Sequence, residues 1–167
     1  TLVSFAVTTD KTENIISPEF KSAGHKVVMV KPDYDENGLP VASSLIDVFN
    51  KVTKLMRDKK VVAAYTPTYG GVAEAVLKMA MGNKVGFEYA DNLTNDDIFG
   101  YNYGAFILEV TEDVALGDVI GNTVEDYSIS YKNEKIAMTD LEDLYENKLE
   151  SIFKCNIKTE DKKIEKY

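Results

Sequence analysis

Apolar positions along the chain fall into short runs and one-sided stripes, and these predict a mixture of strands and helices. Leu2–Thr8 (LVSFAVT) is mostly apolar and rich in β-formers, which predicts a strand. Thr9–Glu13 is a polar turn, and Pro18 limits Ile15–Phe20 to an edge segment, because proline cannot donate to a ladder. Gly24-His25 turns the chain into a second strand, Val27–Val30, followed by the loop Asp33–Pro40. From Ser43 to Lys59, Leu45, Val48, Phe49, Val52, Leu55 and Met56 recur at helical spacing on one face.

The strand Val61–Tyr65 then runs into Thr66-Pro67-Thr68-Tyr69-Gly70-Gly71, a turn that opens an apolar helix ending at Gly82. That helix is small or apolar on most sides, so it is predicted to be buried, with Glu74 and Lys78 as an i,i+4 pair on its exposed side. Val85–Tyr89 predicts a strand, Thr94–Phe99 a helical turn, Gly100–Gly104 a Tyr/Gly loop and Ala105–Val110 a further strand. Val119–Gly121, Tyr127–Tyr131 and Lys135–Ala137 are strand candidates, the last two joined at Asn133-Glu134. Thr139-Asp140-Leu141-Glu142 has the spacing of a capping box. The helix it opens carries Leu141, Leu144, Tyr145, Leu149, Ile152 and Phe153 on one face. Strands and helices do not alternate as strict βαβ units, so the predicted class is α+β, a mixed, mostly antiparallel sheet flanked by helices.

Composition narrows the function classes. A chain of 167 residues suits one domain, which at this size buries about 70% of its unfolded surface. A net charge of −9 argues against a general nucleic-acid binder, which needs a basic face. No apolar run reaches the roughly 20 residues of a membrane span, and no signal peptide precedes Thr1. The lone Cys155 fits a reducing compartment, so a cytoplasmic location is expected. There is no initiator Met, and Lys158–Tyr167 is a charged end; both point to a piece of a longer protein. Residues 1–153 are expected to form the domain and 154–167 a charged tail.

The chemistry that stands out lies at the turn. Paired glycines allow a sharp turn and close approach, and N–H groups at a helix start favour an anion. Thr68, Gly70, Gly71 and Val72 are therefore candidate phosphate or nucleotide contacts. A tight strand-to-helix connection that binds nothing explains the same residues. Other constellations are weaker. Asp33–Gly38 imitates the start of a calcium loop, but its twelfth position is Ser44 rather than the bidentate Glu needed. Glu88, Asp91, Asp96 and Asp97 are more readily a charged surface loop than magnesium ligands. His25 has no Ser or Cys partner nearby and is expected to be an exposed turn histidine; Cys155 is expected to be a spare thiol. Tyr101 and Tyr103 are expected to be packing residues, and no Walker-type motif occurs. No catalytic residue and no metal ligand are assigned.

Thr1–Ala6, the Gly70-Gly71 turn with Ala80–Gly86, Tyr103–Val110 and Ile120-Gly121 recur in one order. In that order and spacing the chain resembles the C-terminal domain of the aminoimidazole ribonucleotide synthetase superfamily, from Thr1 to about Phe153. It is most similar to its long members, which fuse two synthetase halves to a glutaminase. The resemblance implies a sheet flanked by helices with partly ferredoxin-like topology. It also implies a role in purine biosynthesis, with ATP and glutamine used to convert formylglycinamide ribonucleotide to its amidine. ATP and magnesium would belong to the full-length enzyme, and the chain alone would be inactive. The implied partners are an N-terminal synthetase domain and a C-terminal glutaminase domain of the same polypeptide. The surface they leave would allow self-association. Where the family turn often reads His-Asp-x-Ser-Asp-Gly-Gly, this sequence keeps Gly70 and Gly71 but has Tyr65, Thr66, Thr68 and Tyr69 at the ionisable positions. Thr and Tyr cannot replace Asp and His in metal ligation or proton transfer at neutral pH. Two further readings stay open: a non-catalytic structural or nucleotide-binding module of the same fold, and a small self-sufficient enzyme.

Overall fold

The computed structural model describes residues 2–154. Seven strands form one sheet: β1 (Lys26–Val30), β2 (Val61–Tyr65), β3 (Gly86–Tyr89), β4 (Phe106–Val110), β5 (Asp118–Val124), β6 (Ser128–Tyr131) and β7 (Glu134–Ala137). Their order across the sheet is β2-β4-β1-β5-β3-β6-β7. Every neighbouring pair is antiparallel except β3 and β6. The expected α+β class with a mixed, mostly antiparallel sheet is what forms.

Strand alternation divides the core between the two faces. Val28, Val30, Leu108 and Val110 point to one side, where α1 (Ala42–Arg57) lays down Val48 and Val52. Val27, Met29, Ile107, Phe87 and Tyr89 point to the other. There α2 (Gly71–Asn83) contributes Val72, Ala75, Val76, Met79 and Ala80, and α3 (Asn95–Phe99) contributes Ile98. A register shift between Val61 and Ala63 in β2 sends Val61 to the α1 side and Ala63 to the α2 side. As its small, apolar sequence requires, α2 is buried along most of its length. Thr94 caps α3 reciprocally with Asp97.

Three predicted features are corrected. Leu2–Thr8 is not a strand: among the described residues none pairs with it, and Leu2, Val3, Phe5 and Val7 are exposed. A run of apolar β-formers does not hold a strand without a ladder to join. Ile15–Phe20 is not a sheet edge. Its end docks on α2 through the Phe20 N–H to the Met79 carbonyl (2.8 Å), and the Phe20 ring stacks on Phe87 at 5.6 Å. The last helix, α4 (Met138–Asn147), begins before Thr139, with Ala137 as its N-cap and no side-chain cap bond. Glu142, the expected box partner, instead accepts from Lys84 and Tyr127. In α4, Met138 is fully buried and Leu141 half-buried, while Leu144 and Tyr145, and Leu149, Ile152 and Phe153 beyond the helix, are exposed. The helix ends before that stripe is complete. Cys155 and residues 156–167 of the expected tail lie outside the described residues. Among the described residues no helix is long and apolar enough to cross a membrane.

Candidate functional site

The turn between β2 and α2 is closed from within. Gly71 begins α2 at φ +66°, a left-handed conformation that favours glycine, and its N–H donates to the Thr68 carbonyl at 3.1 Å. One turn into the helix, Glu74 swings back over the N-terminus. Its Oε2 accepts from the Gly70 N–H at 2.8 Å and from the Thr68 hydroxyl at 2.8 Å. The other carboxylate oxygen pairs with Lys78. The Lys78 ammonium, with the Thr68 hydroxyl and Gly70 amide behind it, holds the Glu74 carboxyl at about 2, so it is ionised at neutral pH. Glu74 raises the Lys78 ammonium in return.

Of the four residues expected to meet phosphate, three thus have donors already engaged: Thr68, Gly70 and Gly71. Val72 is 1% exposed and packs into the core. A phosphate brought to the Gly70 amide would stand beside the Glu74 carboxylate. At about 4 Å and an effective dielectric near 20, that repulsion is about 4 kcal/mol. The helix dipole returns about 1 kcal/mol. As folded, the protein's own Glu74 stands at the helix start where an anion would be received.

Beside the turn stands an exposed aromatic group. The Tyr101 and Tyr103 rings stack at 5.6 Å, and Tyr69 meets Tyr101 at 5.7 Å. Tyr69, Tyr101 and Tyr103 are all exposed, so the packing expected of Tyr101 and Tyr103 is ring against ring at the surface. The neighbouring Tyr69 hydroxyl raises the Tyr101 pKa.

Two of the remaining sequence candidates order local turns. In the Asp33–Gly38 loop, Asp35 Oδ1 accepts from the Asn37 and Leu39 amides at 2.9 Å each, which orders the turn. Asp97 belongs to the α3 cap. Among the described residues, no three of His, Cys, Asp and Glu converge as a metal cluster.

One constellation escaped the sequence reading. Glu109, on the interior strand β4 between β2 and β1, is fully buried. Its carboxylate accepts from the Lys21 N–H (2.8 Å) and the Ser22 N–H (3.4 Å) and lies 2.6 Å from His25 Nδ1. His25 therefore has partners, contrary to the exposed-turn expectation, and Ser22 lies only three residues upstream of it. Ser22 Oγ stands 3.4 Å from both ring nitrogens. Equal distances put the hydroxyl off the line of either lone pair, so this is not the nucleophile–base bond of a catalytic triad. The group ties the turn before β1 to β4. A lone Glu in the apolar run Phe106–Val110 was the available signal.

No protein-family model matches this sequence. Solved structures do share the fold. Thermotoga maritima PurL complexed with AMPPCP superposes with a TM-score of 0.63 at 10% identity, over 77% of this chain and 27% of that one. The same enzyme complexed with FGAR gives 0.61 at 13% identity, over 78% and 30%. Thiamine monophosphate kinase from Aquifex aeolicus gives 0.50 at 12% identity, over 73% and 54%. The chain thus spans under a third of the length of the PurL structures it matches. Its fold is that of one part of these larger proteins.

Proposed function

We propose that this chain is one domain of an ATP-dependent ligase of the aminoimidazole ribonucleotide synthetase superfamily. The particular enzyme is phosphoribosylformylglycinamidine synthase in its long form, which uses glutamine as amide donor in purine biosynthesis. The supporting observation is the fold shared with PurL over more than three quarters of this chain. ATP, and the magnesium that accompanies it, would be bound by the assembled enzyme in the cytoplasm. An N-terminal synthetase domain and a C-terminal glutaminase domain of the same polypeptide complete it.

Within that enzyme the turn has two possible roles. In the first, Thr68, Gly70, Gly71 and Val72 meet nucleotide phosphate once Glu74 moves off the helix start. In the second, the domain is a non-catalytic support whose turn is permanently closed, and the Glu74 bonds to Gly70 and Thr68 favour this one. Titration with MgATP separates them, using the wild type and Glu74→Gln. A phosphate-binding turn predicts ATP-dependent shifts at residues 68–72 that strengthen in the variant. A closed support predicts none in either protein.

A further inference from the structure

Tyr69, Tyr101 and Tyr103 stand at the surface beside the β2–α2 turn, 43–78% exposed. The loop that carries the last two is held from within. Asn102 is buried and donates to the Gly100 carbonyl at 3.2 Å, while its own carbonyl accepts from the Ala105 N–H at 3.1 Å. Exposure alternates along Tyr101, Asn102 and Tyr103, so both rings project from one side. Gly104 closes the loop at φ +81°, close against Leu45 and Pro40. Large exposed rings on a fixed backbone gain little from folding and mark a contact surface.

Elsewhere the chain supplies its own cations to its tyrosines. Lys78 lies over Tyr145, Lys84 over Tyr127 and Lys132 over Tyr131, at 4.5–6.0 Å from the ring centres. Among the described residues no Lys or Arg lies over Tyr69, Tyr101 or Tyr103. The loop 33–36 adjoins these rings, since the Tyr34 hydroxyl donates to the Tyr103 carbonyl at 3.1 Å. Its Asp33, Asp35 and Glu36 are exposed, and among the described residues none of them forms an ion pair. By contrast Asp10, Asp47, Asp58 and Glu112 each pair with a Lys or Arg. Aromatic faces without a cation thus lie beside carboxylates without one.

We infer that this face docks an arginine-bearing segment of a partner protein, with a guanidinium laid on an outer tyrosine face and further cations at Asp33, Asp35 and Glu36. A guanidinium is planar, stacks on a tyrosine ring and is more weakly hydrated than an ammonium. The Tyr101 and Tyr103 rings lie on one another only 11° from parallel. They present flat outer faces, not the enclosing cage that a quaternary ammonium fills. Bases also stack on tyrosine, but the three carboxylates would repel their phosphates, so a nucleic-acid strand fits worse. The net charge of −9 draws a cationic segment in. This inference goes beyond the ligase reading and does not depend on it.

The test is an amide chemical-shift titration of the full chain at physiological salt with capped tetra-arginine, compared with capped tetralysine. Saturable shifts are expected at residues 33–36 and 101–104, with tetra-arginine bound about two- to fivefold more tightly. Tyr101→Leu and Tyr103→Leu should each weaken tetra-arginine about two- to fivefold, whereas Tyr101→Phe keeps the ring and should bind as wild type does. Glu36→Gln should weaken both peptides. Glu125→Gln should leave both unchanged, because Glu125 follows Val124, which pairs with Gly86 at the start of β3, and α3 follows the other end. Equal binding of the two peptides overturns the inference, and that comparison needs no variant to fold. Unaltered tetra-arginine binding by both Leu variants overturns it too. So does a Glu125→Gln loss equal to that of Glu36→Gln, since binding would then follow net charge alone. Comparable shifts at residues 101–104 with a single-stranded oligothymidine would assign the face to nucleic acid, and likewise overturn it.

Discussion

Gly71 lies against Gly100 so closely that a Cβ on Gly71 would stand 2.8 Å from the Gly100 carbonyl oxygen and 3.0 Å from that of Ile98. The start of α2 is thus packed onto the end of α3 backbone to backbone, and glycine is needed there for contact as well as for φ.

Gly71→Ala should therefore cost more than conformational strain alone. Gly24 is the control: it has a comparable φ of +87° but open space where a Cβ would go. Gly24→Ala should destabilise by about 1 kcal/mol and Gly71→Ala by about 3 kcal/mol, read from urea unfolding. Equal losses would mean that the α2–α3 contact relaxes freely.

The pattern of elements was legible in the sequence because most of it rests on local rules. Helical spacing from Leu45 to Met56 placed α1, and the glycine pair placed the start of α2. What was not legible depended on partners far away in sequence. Among the described residues Leu2–Thr8 has strand composition but joins no ladder, and the apolar stripe beyond Leu141 stays largely exposed. At the turn, the glycines could be read but the return of Glu74 could not, since an i,i+4 acid–base pair with Lys78 gave it a sufficient reason to be there. Tyr89 looked like any strand aromatic, and only the assembled fold shows its hydroxyl unpaired.

Glu74 gives the turn a pH dependence. Its folded pKa is about 2, below the ordinary carboxylate value of 4.5, so its contribution is fully present above pH 4.5 and is lost as pH falls toward 2. Because the group is partly solvated, that contribution is about 1 kcal/mol. Between pH 5 and 2 the wild type should lose about that much more stability than Glu74→Gln. A carboxyl titration with a midpoint near 4.5 would contradict the bonding described.

Glu109 should be the costliest carboxylate to remove. Glu109→Ala leaves the Lys21 amide and the His25 ring without their acceptor in a buried place. A loss of about 3 kcal/mol in urea unfolding is expected. A loss below 1 kcal/mol would show that water replaces the carboxylate.

Exposed apolar side chains should make the chain self-associate. Leu2, Val3, Phe5 and Val7 are 75–96% exposed, and Leu144 adds a second patch at 70%. The net charge of −9 opposes association at low salt, but its reach shrinks to a Debye length of about 8 Å at physiological ionic strength. Sedimentation should show association that rises with protein concentration and with added salt, and Phe5→Ser should reduce it. A monomer at both low and high salt would remove this ground for a covering partner domain.

The most direct measurement for the ligase reading is amidine formation from formylglycinamide ribonucleotide, ATP and glutamine. It is made with this chain alone and with the longer polypeptide proposed to contain it. The account predicts no turnover by the chain alone, since Glu74 already holds the Gly70 amide and the Thr68 hydroxyl at the helix start, and turnover by the complete protein. Amidine formed by the isolated chain, or a complete protein that leaves this substrate untouched, would contradict it.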